Sequence, residues 1–390
     1  CYIVDDYTVD IKTKKAYPLV LNMATYFFAM DSEFYTGTDE DGQPKDAIVK
    51  IGDSFALNNA SGTGPFIVTE RQHNVVLKMK RFKGYWDKNS PGNVTEFILS
   101  PIKENATRVA ALLSGGVDWI SPVPPQDFAR IQNDDKVKLV NINGGRIITF
   151  QMNPNRVEAF KDVRVRQAIV HAVNNEGIVK QIMKGTATVA AQQGPKGYLG
   201  YKENLTPRYD LEKAKALMKE AGYENGFEIS MMAPNNRYVN DAKIAEATAQ
   251  MLGKIGIKVN LKTMPKAQYW NEFDDRAADM MMIGWHSDTE DSGNFSEFLT
   301  MCPNAETGYG QYNSGYCNPK VDELTIAAQS ETDMEKRKAM LQEIEQILYD
   351  DAAFVPFHWQ NHSYGVKKNV QAQPVINAQN FPYIGDLVIE

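Results

Sequence analysis

The sequence predicts an α/β protein that is divided into two lobes. A chain of 390 residues is longer than one hydrophobic core usually supports, which favours more than one domain. Strand-like and helix-like segments alternate along most of the chain, and this order is typical of α/β folds. In the second half the order becomes strand, helix, strand, helix and strand, which predicts a second sheet with helices around it.

The first half of the chain is predicted to contain many strands. Residues 7–11 alternate between apolar and polar side chains, which is a β-strand pattern. Two antiparallel strands are predicted on either side of 71-RQHN-74. Further elements follow in this half: a strand over 94–102, a helix over 104–116 and a short strand over 117–120.

Helical and strand patterns alternate in the second half. A long amphipathic helical region is predicted over 162–185, and Asp210 caps a second helix that stops at Gly222. The remaining predicted elements are strands over 226–233, 257–264, 279–285 and 354–359 and helices over 240–257 and 334–352.

The composition is that of an acidic, folded protein. Hydrophobic residues make up 43% of the chain, and the formal net charge is -7. No basic stripe is visible, so a nucleic acid is not predicted as a partner. No apolar run approaches the roughly 20 residues that a membrane-spanning helix requires. The chain opens at Cys1, which could be a lipid-modified cysteine, although 1–14 reads as the interior of a domain.

Two further cysteines flank one irregular loop. Cys302 and Cys317 are separated by 317 − 302 = 15 positions, in a segment rich in Gly, Asn, Pro and Tyr. This spacing does not match a C-x-x-C metal site, and we therefore predict no metal site there. A disulfide is favoured, which indicates an oxidising compartment; two unrelated free thiols are the alternative.

Seven motifs follow one another in a characteristic order and span nearly the whole chain. They are 62-GTGPF-66, 81-RFKGYWD-87, 110-AALLSGGVDWI-120, 161-KDVRVRQAIVHAVN-174, 210-DLEKAKALMKEAGY-223, 284-GWHSDTEDSGNF-295 and 313-NSGYCNPKVDEL-324. In these motifs and their order the chain resembles the periplasmic peptide-binding proteins of ABC importers, the dipeptide, oligopeptide and nickel class of extracellular solute-binding proteins.

The resemblance implies a two-lobed fold of class II, the peptide-binder type of periplasmic binding protein. It has mixed sheets flanked by helices and a hinge, and ligand binds in the cleft. Residues 1–150 and 366–390 are assigned to lobe I and residues 151–365 to lobe II. The crossings are expected near 148–152 and 356–366. Family members begin with a further N-terminal section, so part of lobe I is expected to be missing here.

The resemblance also implies the two charged contacts of a bound peptide. The ammonium group of a peptide in a dry cleft requires a carboxylate, because a buried cation must be paired. Asp288 occupies the matching position in 284-GWHSDTEDSGNF-295. Arg237, in the loop 231–241, is predicted to bind the ligand carboxylate, with Tyr238 beside it. The alternatives are a turn or helix-capping role for Asp288 and a solvated loop position for Arg237.

Other residues near Asp288 have less certain roles. Trp285 is predicted either as a wall of the pocket or as a core residue with its N–H satisfied. His286 is included as a candidate contact, although a satisfied or surface histidine is the ordinary interpretation. Asn294, Glu290 and Asp291 are predicted to line the rim or to cap the helix that starts near residue 292.

These residues predict a receptor rather than an enzyme. No G-x-S-x-G elbow, H-E-x-x-H, P-loop or Rossmann glycine motif occurs in the chain. The resemblance implies the capture of di- or oligopeptides and their delivery to ABC transporter permease subunits. The chain is expected to act as a monomer in the periplasm or at the outer face of the cytoplasmic membrane, without a cofactor. Alternatives are a non-peptide ligand (nickel chelate, glutathione-like compound, haem or oligosaccharide) and a carboxylate-dependent hydrolase.

Overall fold

A computed structural model describes residues 2–47, 53–377 and 380–390. Two compact units are present: the larger contains residues up to Ala24 and Asn143–Asn361, and the smaller contains Thr25–Ile142 and His362–Glu390. This division differs from the predicted lobes because the first 24 residues belong to the larger unit. Asn22, for example, donates a hydrogen bond to the carbonyl of Thr289 at 3.2 Å. The hinge between lobes stays a prediction, and Cys1 lies outside the described residues.

Strands and helices alternate in the described residues as the sequence predicts. The strands are β1 Tyr2–Asp5, β2 Thr8–Asp10, β3 Phe66–Gln72, β4 Val76–Arg81, β5 Glu96–Leu99, β6 Trp119–Ile120, β7 Val137–Met152, β8 Ala187–Val189, β9 Phe227–Pro234, β10 Ile257–Met264, β11 Met280–Trp285 and β12 Phe354–Lys367. The α-helices are α1 Val20–Ala24, α2 Ser32–Tyr35, α3 Phe55–Asn58, α4 Asn105–Leu113, α5 Phe128–Gln132, α6 Val163–Ala172, α7 Asn175–Gln181, α8 Leu211–Glu220, α9 Asp241–Gly253, α10 Lys266–Asp274, α11 Ser292–Leu299, α12 Pro319–Ser330 and α13 Met334–Asp350.

A mixed sheet forms the centre of the larger unit. Its strand order is β10-β9-β11-β7-β12, and β8 also pairs with β12. The three strands β9, β10 and β11 are parallel, whereas β11 and β7 are antiparallel. The boundary between the two units falls within β7 and within β12. In the smaller unit β3, β4 and β5 form an antiparallel sheet, and β6 pairs with the end of β12.

The apolar run before the candidate site forms a strand that is buried on both faces. Met280 and Met282 pack in one hydrophobic cluster, together with residues of α6, α8 and α9. Met281 and Ile283 pack in a second cluster with residues of α10, α11 and α13. Because successive strand side chains point to opposite faces, a continuous apolar run fits a strand that is covered on both sides.

One prediction about local structure is corrected, and another agrees with the structure. The helical region predicted over 162–185 is two helices, because Val173 is extended and Asn174 starts α7 by accepting a hydrogen bond from the Gly177 amide at 2.7 Å. The predicted disulfide between Cys302 and Cys317 is present. No helix in the described part of the chain has the length and apolarity that a bilayer crossing requires.

Candidate ligand-binding site

The candidate site is built where β11 ends and the chain continues through 285–291 towards α11. Gly284 is required at this point, because a Cβ atom there would lie 2.7 Å from both the Tyr238 ring and the Ile148 side chain. The glycine amide donates a hydrogen bond to the Tyr238 hydroxyl at 2.8 Å. The end of the strand is therefore held against the loop that follows β9.

Tyr238 supports the strand instead of facing the solvent. The sequence predicts it as a ligand contact, but the residue is only 6% exposed. Burial raises the pKa of its hydroxyl above the ordinary value. Its ring also lies beneath the Arg237 guanidinium, 4.9 Å from the ring centroid. Tyr238 is therefore placed to position Arg237 and Gly284.

Trp285 lies in an aromatic stack at the edge of the site. Its ring centroid is 4.7 Å from that of Phe298 and 5.0 Å from that of Tyr312. Its indole N–H donates to the side-chain oxygen of Asn294 at 2.9 Å. Trp285 is thus partly buried with its N–H satisfied, as the second of its two predicted roles requires, and its place in the wall of a pocket stays a prediction. Asn294 fixes the orientation of the ring.

His286 contacts the residue that the sequence predicts as the charge anchor. Its Nε2 atom lies 3.2 Å from Oδ1 of Asp288, and the two side chains are 30% and 36% exposed. The imidazole therefore orients the Asp288 carboxylate while part of that carboxylate stays accessible. This pairing gives His286 a role that the sequence alone did not indicate.

Asp291 is buried and fixes the segment that carries Asp288. Its carboxylate accepts hydrogen bonds from the amides of Gly293 and Asn294 and so caps α11, as the sequence predicts. The same carboxylate pairs with the guanidinium of Arg337 on α13, and both side chains are 2% exposed. Glu290, in contrast, is exposed and takes the left-handed conformation, with φ 57°. The sequence did not single out Arg337.

A second loop packs against this segment. The amide of Ser292 donates to the Leu199 carbonyl at 2.9 Å. Tyr198 belongs to the same loop and lies close to Gly145. A Cβ atom at position 145 would overlap the Tyr198 hydroxyl. Burial, followed by the nearby carboxylates of Glu290 and Asp288, raises the pKa of Tyr198 to about 12. The hydroxyl is therefore a neutral hydrogen-bonding group beside the site.

Glu345 of α13 holds the start of the same loop. Its carboxylate is 1% exposed and accepts hydrogen bonds from the amides of Gln193 at 3.0 Å and Gly194 at 3.2 Å. Burial raises the pKa of Glu345 to about 7, although these two amides partly offset the effect. One helix thus supports both segments that approach the candidate site.

Arg146 and Arg237 bring two positive charges to the same strand end. Arg146 is partly buried, and its Nη1 atom lies 3.5 Å from the carbonyl oxygen of Gly284. Burial and the charge of Arg237 lower the pKa of Arg146, whereas Tyr238 and Asp288 raise it. The loop of Arg237 is fixed by Asp241, which accepts hydrogen bonds from the amides of Arg237 and Tyr238 at 2.9 and 3.0 Å.

All of the residues predicted as ligand contacts lie in the larger unit, and their contact with a ligand stays a prediction. They are Asp288, Arg237, Trp285, Tyr238, His286 and Asn294. Arg146 and Tyr198 were missed, because each comes from a segment distant in sequence. Within the described ranges, no group of three or more His, Cys, Asp or Glu side chains is arranged to hold a metal ion.

Comparison with known sequences identifies one family. Its profile, described as bacterial extracellular solute-binding proteins, family 5 Middle, matches residues 3–307. The dipeptide-binding protein of Escherichia coli (strain K12) is 30% identical over 356 residues, covering 90% of this chain and 64% of that protein. Heme-binding protein A of Haemophilus influenzae is 27% identical over 359 residues, covering 90% of this chain and 63% of that protein. The chain therefore spans less than two thirds of either curated relative.

Comparison with solved structures confirms the predicted fold class. HbpA2 from Haemophilus parasuis matches 100% of this chain and 75% of its own chain, with a TM-score of 0.79 and 26% identity. The periplasmic binding protein DppA from Helicobacter pylori, in complex with the peptide STSA, has a TM-score of 0.73 at 24% identity and covers 84% of this chain and 63% of its own. The chain has the α/β fold of class II periplasmic binding proteins.

Proposed function

Because the chain belongs to family 5 of the bacterial extracellular solute-binding proteins, we propose that it captures short peptides for an ABC importer. The observation that supports peptide binding best is the Asp288 carboxylate beside Trp285 at the end of β11. Asp288 is held by His286 at 3.2 Å and stays partly exposed. A carboxylate that is fixed in this way matches the ammonium group at the N-terminus of a peptide.

The names of several relatives support this choice of ligand. They include the dipeptide-binding protein of Escherichia coli and a dipeptide-binding protein from Pseudoalteromonas that was crystallised with Met-Leu. Other relatives are named for glutathione and for haem. The family consists of solute-binding proteins rather than enzymes, so we infer a role without catalysis.

The proposed role includes a membrane partner and a compartment. The protein delivers its ligand to the permease subunits of an ABC transporter and acts as a monomer in the periplasm or at the outer face of the cytoplasmic membrane. The disulfide between Cys302 and Cys317 supports an oxidising compartment. The predicted closure of two lobes around the ligand belongs to the same proposal.

Calorimetry with the full-length protein tests the proposed ligand. Dialanine and N-acetyl-dialanine differ at the amino group, so the free peptide is expected to bind at least ten times more tightly. Asp288→Asn should weaken dialanine binding by about ten- to a hundredfold, because a charge-assisted hydrogen bond is lost. Asp275→Asn, at an exposed position after α10, is the matched control and should bind like the wild type.

Three results would contradict the proposal. The first is equal affinity for free and acetylated dialanine. The second is unchanged binding by Asp288→Asn with an unchanged unfolding midpoint. The third is tighter binding of reduced glutathione, haem, a nickel–histidine chelate or an oligosaccharide than of any di- or tripeptide tested. Hydrolysis of the peptide during the titration, detected by mass spectrometry, would instead support the enzyme alternative.

A further inference from the structure

The N-terminal segment of the larger unit ends in the short helix α1, which is covered on one face. The Met23 amide donates to the Leu19 carbonyl at 3.0 Å, four positions back, as in an α-helix. Leu19, Asn22 and Met23 share one face at this spacing. Leu19 is buried and the other two are partly buried, whereas Leu21 on the opposite face is 79% exposed. The helix therefore turns the face of Asn22 towards the protein.

Tyr17 places the start of this segment near the helix α11. Burial raises the pKa of the Tyr17 hydroxyl, and the nearby carboxylates of Glu297 and Asp291 raise it further. Glu297 belongs to α11, and Asp291 caps the same helix. The segment thus follows the loop that joins β11 to α11, with Tyr17 at one end and Asn22 at the other. We call residues 17–24 the strap.

The strap contacts the loop before α11 at a peptide group that has an unfavourable neighbour. Asn22 donates its side-chain N–H to the Thr289 carbonyl at 3.2 Å. This carbonyl belongs to the peptide group between Thr289 and Glu290, and Glu290 takes the left-handed conformation. That conformation is unfavourable for residues other than glycine and persists where the surrounding structure holds it. The bond from Asn22 supplies such support from outside the loop.

The same peptide group follows Asp288 directly. The amide of Thr289 donates to the Ser287 hydroxyl at 3.1 Å, so this end of the residue is held within the loop. Its carbonyl end is held by the strap. A backbone that is fixed on both sides of Thr289 restricts the conformations of the preceding residue. The Asp288 side chain, which is 36% exposed, therefore starts from a backbone that the strap helps to fix.

We propose that Asn22 is a positioning residue for ligand binding: by holding the Thr289 carbonyl, it directs the Asp288 carboxylate towards the ammonium group of the ligand. This inference rests on the proposed function and adds to it a residue that is distant from Asp288 in sequence. Asn22 acts through the loop and not through a contact with the ligand. Its loss therefore reduces the preference for a free amino group more than it reduces binding in general.

The first experiment compares dialanine with N-acetyl-dialanine by calorimetry on the full-length protein. Asn22→Leu keeps the branched shape of the side chain but lacks the N–H donors. We expect it to weaken dialanine binding by about three- to tenfold, as for one lost hydrogen bond, and to leave N-acetyl-dialanine binding unchanged. Asn22→Gln keeps a donor on a longer side chain and should recover part of the affinity. Asn271→Leu, at an exposed position of α10, is the matched control and should bind like the wild type.

A second comparison establishes whether Asn22 acts through Asp288. In the Asp288→Asn background the carboxylate is absent, so adding Asn22→Leu should weaken dialanine binding no further. The same loss in both backgrounds would overturn the inference. So would an equal loss for free and acetylated dialanine, or an unchanged affinity of Asn22→Leu for dialanine.

Hydrogen exchange followed by mass spectrometry tests the strap without any ligand. The amides of Thr289 and Asp291 donate to the Ser287 hydroxyl at 3.1 and 3.3 Å, so their exchange reports the order of the loop. Asn22→Leu should speed their exchange by about threefold or more and leave strand β10 unchanged. Faster exchange together with no dialanine binding by the wild type would contradict the proposed function and support the role of Asn22 in the loop. Equal exchange in the variant and the wild type would overturn the inference.

Discussion

Replacing Arg337 by methionine is expected to destabilise the larger unit strongly. The change leaves the Asp291 carboxylate buried without its ionic partner, since both side chains are 2% exposed and Arg337 Nε lies 3.2 Å from Oδ2. Removing one partner of a buried ion pair typically costs about 3–5 kcal/mol. The substitution also removes the donor to the Ala328 carbonyl. The amides of Gly293 and Asn294 still bind Asp291 and offset part of the loss. We therefore expect a loss of about 4 kcal/mol in the free energy of unfolding.

Urea unfolding of the full-length protein measures this loss. Far-UV circular dichroism follows the secondary structure, and tryptophan fluorescence follows the stack around Trp285. Lys336→Met is the matched control, because the neighbouring Lys336 is 70% exposed and lies 3.8 Å from Asp333. An exposed pair of this kind contributes about 0–1 kcal/mol. The slope of free energy against urea is compared as well, so that a change in cooperativity is recognised.

A double-mutant cycle separates the ion pair from other effects of the substitution. Asp291→Asn keeps a good helix cap but removes the negative charge. If the charges interact as the structure shows, Arg337→Met with Asp291→Asn should be less destabilising than the sum of the single changes, by about 1–3 kcal/mol. A loss below about 1 kcal/mol for Arg337→Met, or strict additivity of the two changes, would show that the pair is not coupled as described.

Two buried titratable groups predict opposite effects of pH on stability. The folded-state pKa of Glu345 is raised to about 7 from 4.5, so the folded protein binds this proton more tightly than the unfolded chain. Stability should therefore fall by about 3 kcal/mol as the pH rises from 4.5 to 7, and Glu345→Gln should lack this fall in urea unfolding. The pKa of His358 is lowered by burial to about 3 from 6.5, and neither ring nitrogen has a hydrogen-bond partner among the described residues. The free energy of unfolding should therefore fall by about 5 kcal/mol as the pH falls from 6.5 to 3, and His358→Leu should lack this fall. Stability curves that stay parallel to the wild type across either pH range would contradict the corresponding assignment.

The strands around the site were predictable because their pattern is local. The predicted strand over 279–285 matches β11 Met280–Trp285, and that over 257–264 matches β10. The apolar run predicts the strand, and the glycine and tryptophan at its end mark the point where the strand reaches the candidate site. The break between α6 and α7 was missed because it depends on the side chain of Asn174, which caps α7 within an otherwise helical pattern.

The charged partners of the site were not predictable in the same way. Arg337 is 46 residues from Asp291 in sequence, and Arg146 precedes Gly284 by 138 residues. Each is an ordinary charged residue within its own segment. Each is distinguished only by a neighbour that is distant in sequence. The pairing of β7 with β11 places Arg146, and the packing of α13 places Arg337.

The placement of α13 explains why two of its charged residues are buried. The buried residues of this helix are Arg337, Leu341, Ile344, Glu345 and Leu348, which form one stripe at helical spacing. On a purely structural helix such a stripe is apolar, because a buried charge costs free energy unless it is paired. Here the two charged members bind two segments that meet each other: Arg337 holds Asp291, and Glu345 holds the amides of Gln193 and Gly194.

The first of these segments leads back to Asp288, and the second leads on to Tyr198. Leu199 and Ser292 connect the two by a backbone hydrogen bond of 2.9 Å. A loop that must hold a carboxylate in a fixed position loses conformational freedom, and that loss has to be met by interactions behind it. The buried charges of α13 supply these interactions through Asp291 and through the amides of Gln193 and Gly194. Arg337→Met should therefore weaken dialanine binding in calorimetry, although the Arg337 side chain is only 2% exposed.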